Sequence, residues 1–262
     1  MTSVRHLDDL LLSQGRHIVT SSDIEAMIGP SPNPSSRLAT LRRQHRLVSP
    51  AKGLYLVIPA EYRGWKTLPA DWFIDALMRH MGRHYYVGLL SAAEIHGAAH
   101  QAPQVFQVMV DERVRPRSLG RVKLRFYQSA AVLKAIYRQG VERRTVHTGY
   151  LSVSSPELTA IDLINYHGSA AGFNNVATIL TELETLGGDR LATLSEGRPQ
   201  SVIRRLGWFL ERYGHVDHLE GVAALVVHDR EHPTRLDPDV PTRGLFNARW
   251  NIAENADIEP DL

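Results

Sequence analysis

Ser36, Thr40 and Arg43 recur at i, i+4 and i+7, the spacing that places three side chains on one face of a helix. Arg37 and Gln44 stand beside that face, and Leu38 and Leu41 fall on the opposite one. Hydroxyl, amide and guanidinium groups grouped in this way can meet base edges and phosphates in a major groove. Arg42, Arg46 and Lys52 follow closely and suit the phosphate backbone, where a cation adds affinity without reading sequence. The competing reading is a helical bundle with a solvated basic face.

Other chemistries fit less well. Thirteen histidines raise metal binding, with His80/His84 and His96/His100 at helical i,i+4 spacing and His215 and His218 three apart. His228-Asp229-Arg230-Glu231-His232 matches an H-x-x-E-H pattern, which needs both histidines on one helix face and a further carboxylate. Pro233 follows at once and interrupts any such helix. The sequence therefore predicts neither a metal site nor a cofactor. There is no G-x-S-x-G elbow, Walker loop or dinucleotide-binding glycine pattern. No lysine follows Lys134, so a nuclease site of the Glu-x-Lys type cannot be assembled in the C-terminal half. The expectation is a protein that is not an enzyme, with no catalytic residue.

The elements around the basic face give it a frame. Leu7, Leu10, Leu11 and Leu12 predict a first helix closed by Gly15, and Ile18-Val19 an extended stretch. Ser22 opens a second helix, with Glu25 at the capping-box spacing. Ser31-Pro32-Asn33-Pro34 reads as a turn, after which Ser35 or Ser36 caps a third helix to about His45. Leu47–Ser49 and Leu54–Ile58 predict two strands joined by a turn over Pro50–Gly53. Three short helices and a hairpin describe a winged helix-turn-helix over residues 1–66, with the third helix as reader.

Residues 67–262 form the expected second part. Its basic portion, 67–150, holds a helix from Pro69 with Trp72, Phe73, Ala76, Leu77 and Met81 inward. Tyr85–Val87 then leads into an apolar helix from Leu89 to His96, stopped by Gly97. Strands are predicted at Gln104–Val110 and Val122–Tyr127, joined by an arginine-rich connection through Arg113, Arg115, Arg117 and Arg121. That connection either tracks phosphates or is a solvated loop. The acidic portion, 151–262, has helices starting at Ser155-Pro156-Glu157, running from Phe173 to Leu186 with Gly187-Gly188 as the stop, and from Pro199 to Tyr213. Ala223–Val227 is too short to assign to helix or strand. The fold class expected is α+β: a winged helix-turn-helix followed by a mixed α/β, mainly helical C-terminal domain.

Charge sharpens this division. The 262 residues carry a formal charge of only +2. Residues 1–150 hold 21 basic and 11 acidic side chains, a net of +10, and residues 151–262 hold 9 and 17, a net of −8. A basic half of this size suggests a nucleic-acid partner. More of the excess lies in 67–150 (+6) than in 1–66 (+4), so the Arg113–Arg125 stretch either follows the DNA backbone or faces the acidic C-terminal part. The absence of cysteine removes disulfides, thiolate zinc sites and cysteine nucleophiles. With no secretory signal in the first twenty residues and no long apolar run, the expected setting is cytoplasmic, away from a membrane.

Four stretches resemble the AbiEi family, antitoxins of bicistronic abortive-infection systems of the type IV toxin–antitoxin kind. Gly53-Leu54-Tyr55-Leu56-Val57-Ile58-Pro59 is similar to the wing strand of that family. Tyr85 to Gly97, continuing through Gln101-Ala102-Pro103-Gln104-Val105, resembles its most recognisable block, and Arg205 to Glu211 and Trp250 to Leu262 resemble later parts. The resemblance implies a winged-helix repressor that binds inverted repeats of double-stranded DNA in its own promoter, as a dimer or as two copies. It also implies a C-terminal domain that counteracts a toxin of nucleotidyltransferase fold, with or without a stable complex, in defence against phage. The rival expectation is a protein- or RNA-interaction module without sequence-specific DNA binding.

Overall fold

A computed structural model describes residues 7–28, 34–99, 103–241 and 244–260, with the side chains of 28, 34–37 and 137 excepted. The chain begins α1 (Leu7–Ser13), β1 (Ile18–Thr20), α2 (Ser21–Ile28), α3 (Pro34–Arg43), β2 (Leu47–Ala51), β3 (Leu54–Val57) and α4 (Ala70–His80). It continues β4 (Tyr85–Val87), α5 (Leu89–Ile95), β5 (Phe106–Val110), β6 (Arg117–Leu119), β7 (Val122–Gln128), α6 (Ala135–Arg138), β8 (Val141–Val146) and β9 (Gly149–Ser154). It ends α7 (Pro156–Asn165), α8 (Phe173–Glu182), α9 (Gly188–Ser195), α10 (Gln200–Tyr213), α11 (Glu220–Ala224), β10 (Thr234–Arg235), β11 (Leu245–Asn247) and β12 (Ile252–Glu254). The protein is α+β.

The chain packs into two compact units. One takes Met1–Tyr85, Gln104–Ser129 and Arg143–Ser152; the other takes Tyr86–Pro103, Ala130–Glu142 and Val153–Leu262.

In the first unit, Leu7, Leu11, Val19, Ile24, Leu41, Leu47 and Val57 form one core cluster that joins α1, α2 and α3 to a three-stranded sheet. The sheet order is β1-β3-β2, all antiparallel, so the expected hairpin gains a third strand through Ile18↔Leu56 and Thr20↔Leu54. The turn is tighter than predicted, because Pro50 and Ala51 belong to β2 and only Lys52-Gly53 remain outside. Pro50 lacks an N–H for the ladder, and the register shifts between Val48 and Ala51 to accommodate it.

The cap of α2 also differs. Thr20, not Ser22, closes it: Asp23 N–H donates to Thr20 Oγ1 at 3.2 Å, and Thr20 N–H donates to Asp23 Oδ2 at 2.7 Å. Arg16 Nη2 donates to Asp23 Oδ1 at 2.7 Å, which selects this box over the Ser22/Glu25 spacing. Pro34 begins α3 rather than ending a turn, as the free N-terminal position of a helix allows. On α4 the buried stripe is Phe73, Ile74, Leu77 and Met78. Trp72 stands only half-buried, stacked on His147 with ring centroids 4.0 Å apart and edge-on to His17.

In the same unit β5 pairs in parallel with β7, and β7 in antiparallel with β6. The expected arginine-rich connection is thus partly a strand. In the second unit, α7 is almost wholly buried, and Ser155 caps it by accepting from Leu158 N–H. The predicted helix from Phe173 to Leu186 ends at Glu182, and Gly187-Gly188 start α9 instead of stopping α8. A Cβ on Gly188 would lie 2.0 Å from the His218 carbonyl oxygen, so close packing explains the glycine. The C-terminal stretch forms a small sheet, β10-β12-β11, and a Cβ on Gly207 of α10 would meet the Trp250 ring at 2.1 Å.

Candidate nucleic-acid interface

The end of α3 turns its leucines inward and its polar residues out. Leu41 is buried in the core, while Thr40, Arg42, Arg43 and Gln44 are exposed. Arg43 Nη2 donates to Thr40 Oγ1 at 3.2 Å, so two of the three predicted face residues are brought together. The side chains of Ser36 and Arg37 lie outside the described residues. Gln44 falls one residue beyond α3, and its N–H still donates to the Thr40 carbonyl at 3.1 Å.

Arg46 has a different surrounding from the other cations. Its guanidinium forms an ion pair with Asp8, which is fully buried, and another with Asp9 at 2.9 Å. Burial alone would lower the Arg46 pKa, but the Asp9 hydrogen bond and the charges of Asp8 and Asp9 outweigh it and raise it. The group expected to meet phosphate instead fastens α1 to the turn that follows α3. Nothing in the local sequence signals this pairing, because the partners stand 37 residues apart.

Lys52 occupies the exposed tip of the β2–β3 turn, where Gly53 adopts a left-handed φ of 81°. The turn is held from behind: His80 Nε2 donates to the Lys52 carbonyl at 2.9 Å, and the Arg117 guanidinium donates to the Pro50 carbonyl. Among the described residues no carboxylate pairs with Arg42, Arg43 or Lys52.

A second cationic surface lies on β7. Lys123 and Arg125 are exposed at alternate positions of β7, hence on one face of the strand about 6.7 Å apart, and Arg121 is exposed in the turn just before it. Arg117 and Leu124 are cross-strand partners on the other face. The β6–β7 tip is fixed to the segment that follows β3, because Arg121 N–H donates to the Trp65 carbonyl at 3.0 Å. Gly120 is required there: it has φ 53°, and a Cβ would lie 2.0 Å from that same oxygen.

No group of three metal-ligating side chains occurs among the described residues. His96 Nε2 donates to the Ser154 carbonyl at 2.7 Å, His100 lies outside the described residues, and residues 228–232 form no helix.

The second unit holds a buried polar cluster that the sequence did not announce. Tyr86 OH donates to Asp162 Oδ2 at 2.7 Å, and Arg198 Nη2 donates to Asp162 Oδ1 at 3.3 Å. Burial raises the Asp162 pKa against the opposing pull of Arg198 and Tyr86. Burial and the Asp162 charge push the Tyr86 phenol well above its ordinary value. These side chains join β4, α7 and the turn before α10.

A family model described as the AbiEi antitoxin C-terminal domain matches residues 86–212, a span that includes this cluster. The matched span, just under half of the chain, is similar to an AbiEi antitoxin domain. The AbiEi match supports an antitoxin role in a toxin–antitoxin system, which is a regulatory rather than an enzymatic kind of protein. In fold the chain is similar to the crystal structure of the RV2827C protein from Mycobacterium tuberculosis, with a TM-score of 0.68 at 18% identity, over 95% of this chain and 90% of that one. At that identity the likeness concerns the fold alone. No curated protein matches the sequence. No helix among the described residues is long and apolar enough to cross a membrane.

Proposed function

We propose that this AbiEi-domain protein is a DNA-binding antitoxin that represses its own operon. Residues 1–66 act as a winged helix-turn-helix, with α3 in the major groove and the β2–β3 turn on the adjacent backbone. Thr40, Arg43 and Gln44, with Ser36 and Arg37, meet bases; Arg42 and Lys52 meet phosphates. Arg46 is assigned to holding the frame, since two carboxylates already neutralise it. The observation that carries the reading is the set of exposed cations, free of carboxylates, at the end of α3 and at the hairpin tip. Arg121, Lys123 and Arg125 extend it as a second line of backbone contacts, placed beside the Trp65–Lys66 corner.

The operator is an inverted repeat of double-stranded DNA, bound by two copies as palindrome geometry requires. The AbiEi domain counteracts a toxin of nucleotidyltransferase fold. Fluorescence anisotropy with the duplex upstream of the operon tests the DNA reading. Binding with an affinity that falls steeply with salt is expected; no binding at micromolar protein and low salt refutes it and favours a protein- or RNA-interaction module. Rescue of growth by the chain when the neighbouring toxin is expressed tests the second role.

A further inference from the structure

A concave pocket of about 400 Å³ opens beside the end of α3, lined by Arg42, Arg43, His45, Leu47, Val48 and Lys66. Two guanidinium groups, an ammonium group and an imidazole share the lining with the apolar side chains of Ala39, Leu47 and Val48, and no carboxylate lines it. Two of these residues hold uncommon backbone conformations. His45 has φ 52° and Lys66 φ 61°, two of the five non-glycine residues in the left-handed region among the described residues. Each follows a helical turn: Arg46 N–H donates to the Leu41 carbonyl at 2.9 Å, and Lys66 N–H to the Tyr62 carbonyl at 3.1 Å. Glycine is the ordinary residue at such positions, because it has no Cβ to strain them. Here both keep a nitrogen-bearing side chain, and both side chains line the same pocket. Left-handed backbone retained in side-chain-bearing residues is characteristic of ligand sites.

We propose that this pocket binds a free phosphate ester of nucleotide size, and that the ligand competes with duplex DNA. Arg42, Arg43 and Lys66 would hold the phosphate, with the guanidinium forks supplying charge-assisted hydrogen bonds. Leu47 and Val48 would take the organic body, as the apolar walls of small-molecule pockets do. Competition follows because Arg42 and Arg43 belong to both surfaces, and that part rests on the DNA-binding reading above.

The probe is adenosine 5′-monophosphate, titrated into the full chain by calorimetry, with adenosine and inorganic phosphate in parallel. Saturable binding of the nucleotide, tighter than either fragment, is expected. Lys66→Gly and His45→Gly relieve the left-handed strain, so each variant should melt no lower than wild type while losing nucleotide affinity, about tenfold for Lys66→Gly. Excess duplex should displace the nucleotide. No binding at about 10 mM nucleotide, or equal binding by wild type and Lys66→Gly, overturns the proposal. Simultaneous binding of duplex and nucleotide overturns the shared pocket. Nucleotide binding without any duplex binding would uphold the pocket and remove the DNA reading; duplex binding without nucleotide binding would do the reverse.

Discussion

Arg46→Met removes the guanidinium that meets Asp8 and Asp9 while keeping an unbranched apolar stem in its place. Asp8 has no exposed surface, so the variant strands a buried carboxylate without its counter-charge. Loss of one member of a buried pair costs about 3–5 kcal/mol. Asp9 is 53% exposed, and its share of the pairing is under about 1 kcal/mol. The expected loss is therefore about 3–4 kcal/mol, or roughly 10 °C in melting temperature for a chain of this size. Urea unfolding of the full chain measures it, and Asp8→Asn with Arg46→Met completes a double-mutant cycle. The cycle should return a coupling of about 2–3 kcal/mol, because the second change removes the stranded charge. A loss below about 1 kcal/mol, together with weaker duplex binding and a salt slope shallower by about one unit, would refute the anchoring role and return Arg46 to the phosphates.

Arg43→Ala should weaken binding to operator duplex by about 1–3 kcal/mol and random duplex much less, whereas Lys52→Ala should weaken both alike and flatten the salt dependence; anisotropy titrations separate the two. Asp162→Leu removes the buried carboxylate that Tyr86 and Arg198 both reach and should destabilise the chain by about 3 kcal/mol in urea unfolding. Burial, reinforced by His147, lowers the His17 pKa below its ordinary 6.5, so the unfolded chain binds the proton more readily. That contribution to stability is present above pH 6.5 and is lost as pH falls below it, and His17→Phe should flatten the melting-temperature profile between about pH 7 and 5. Gly207→Ala drives a methyl group into the Trp250 ring and should lower the melting point by several degrees in calorimetry.

Where a feature depends on neighbours along the chain, residue types alone announce it. Ser155-Pro156-Glu157 predicts the start of α7 because a cap and a first-turn proline act within three residues. Leu54–Val57 reads as a strand from its own composition. Where distant partners decide, the local pattern misleads. Thr20/Asp23 and Ser22/Glu25 offer overlapping caps, and only Arg16 selects between them. Arg117–Leu119 has no apolar alternation and is a strand because Val122–Leu124 pairs with it. Gly187-Gly188 looks like a helix stop until His218 comes close enough to require a glycine. The same rule divides the site residues: Thr40, Arg42 and Arg43 follow from helical spacing, but the ties of Arg46 to Asp8 and Arg198 to Asp162 depend on tertiary packing.

The chain crosses between the two units five times, after Tyr85, Pro103, Ser129, Glu142 and Ser152. During synthesis the first unit therefore cannot be completed until Ser152 has left the ribosome, and it then waits on a segment made after part of the second unit has already emerged. The order of emergence sets the order of assembly. The small core of Leu7 to Val57 can close early, while β5, β6, β7 and residues 143–152 join it later. A stop codon or a protease cut in the middle of the chain would damage both units at once, so the intact chain is the working unit for turnover as well as for folding.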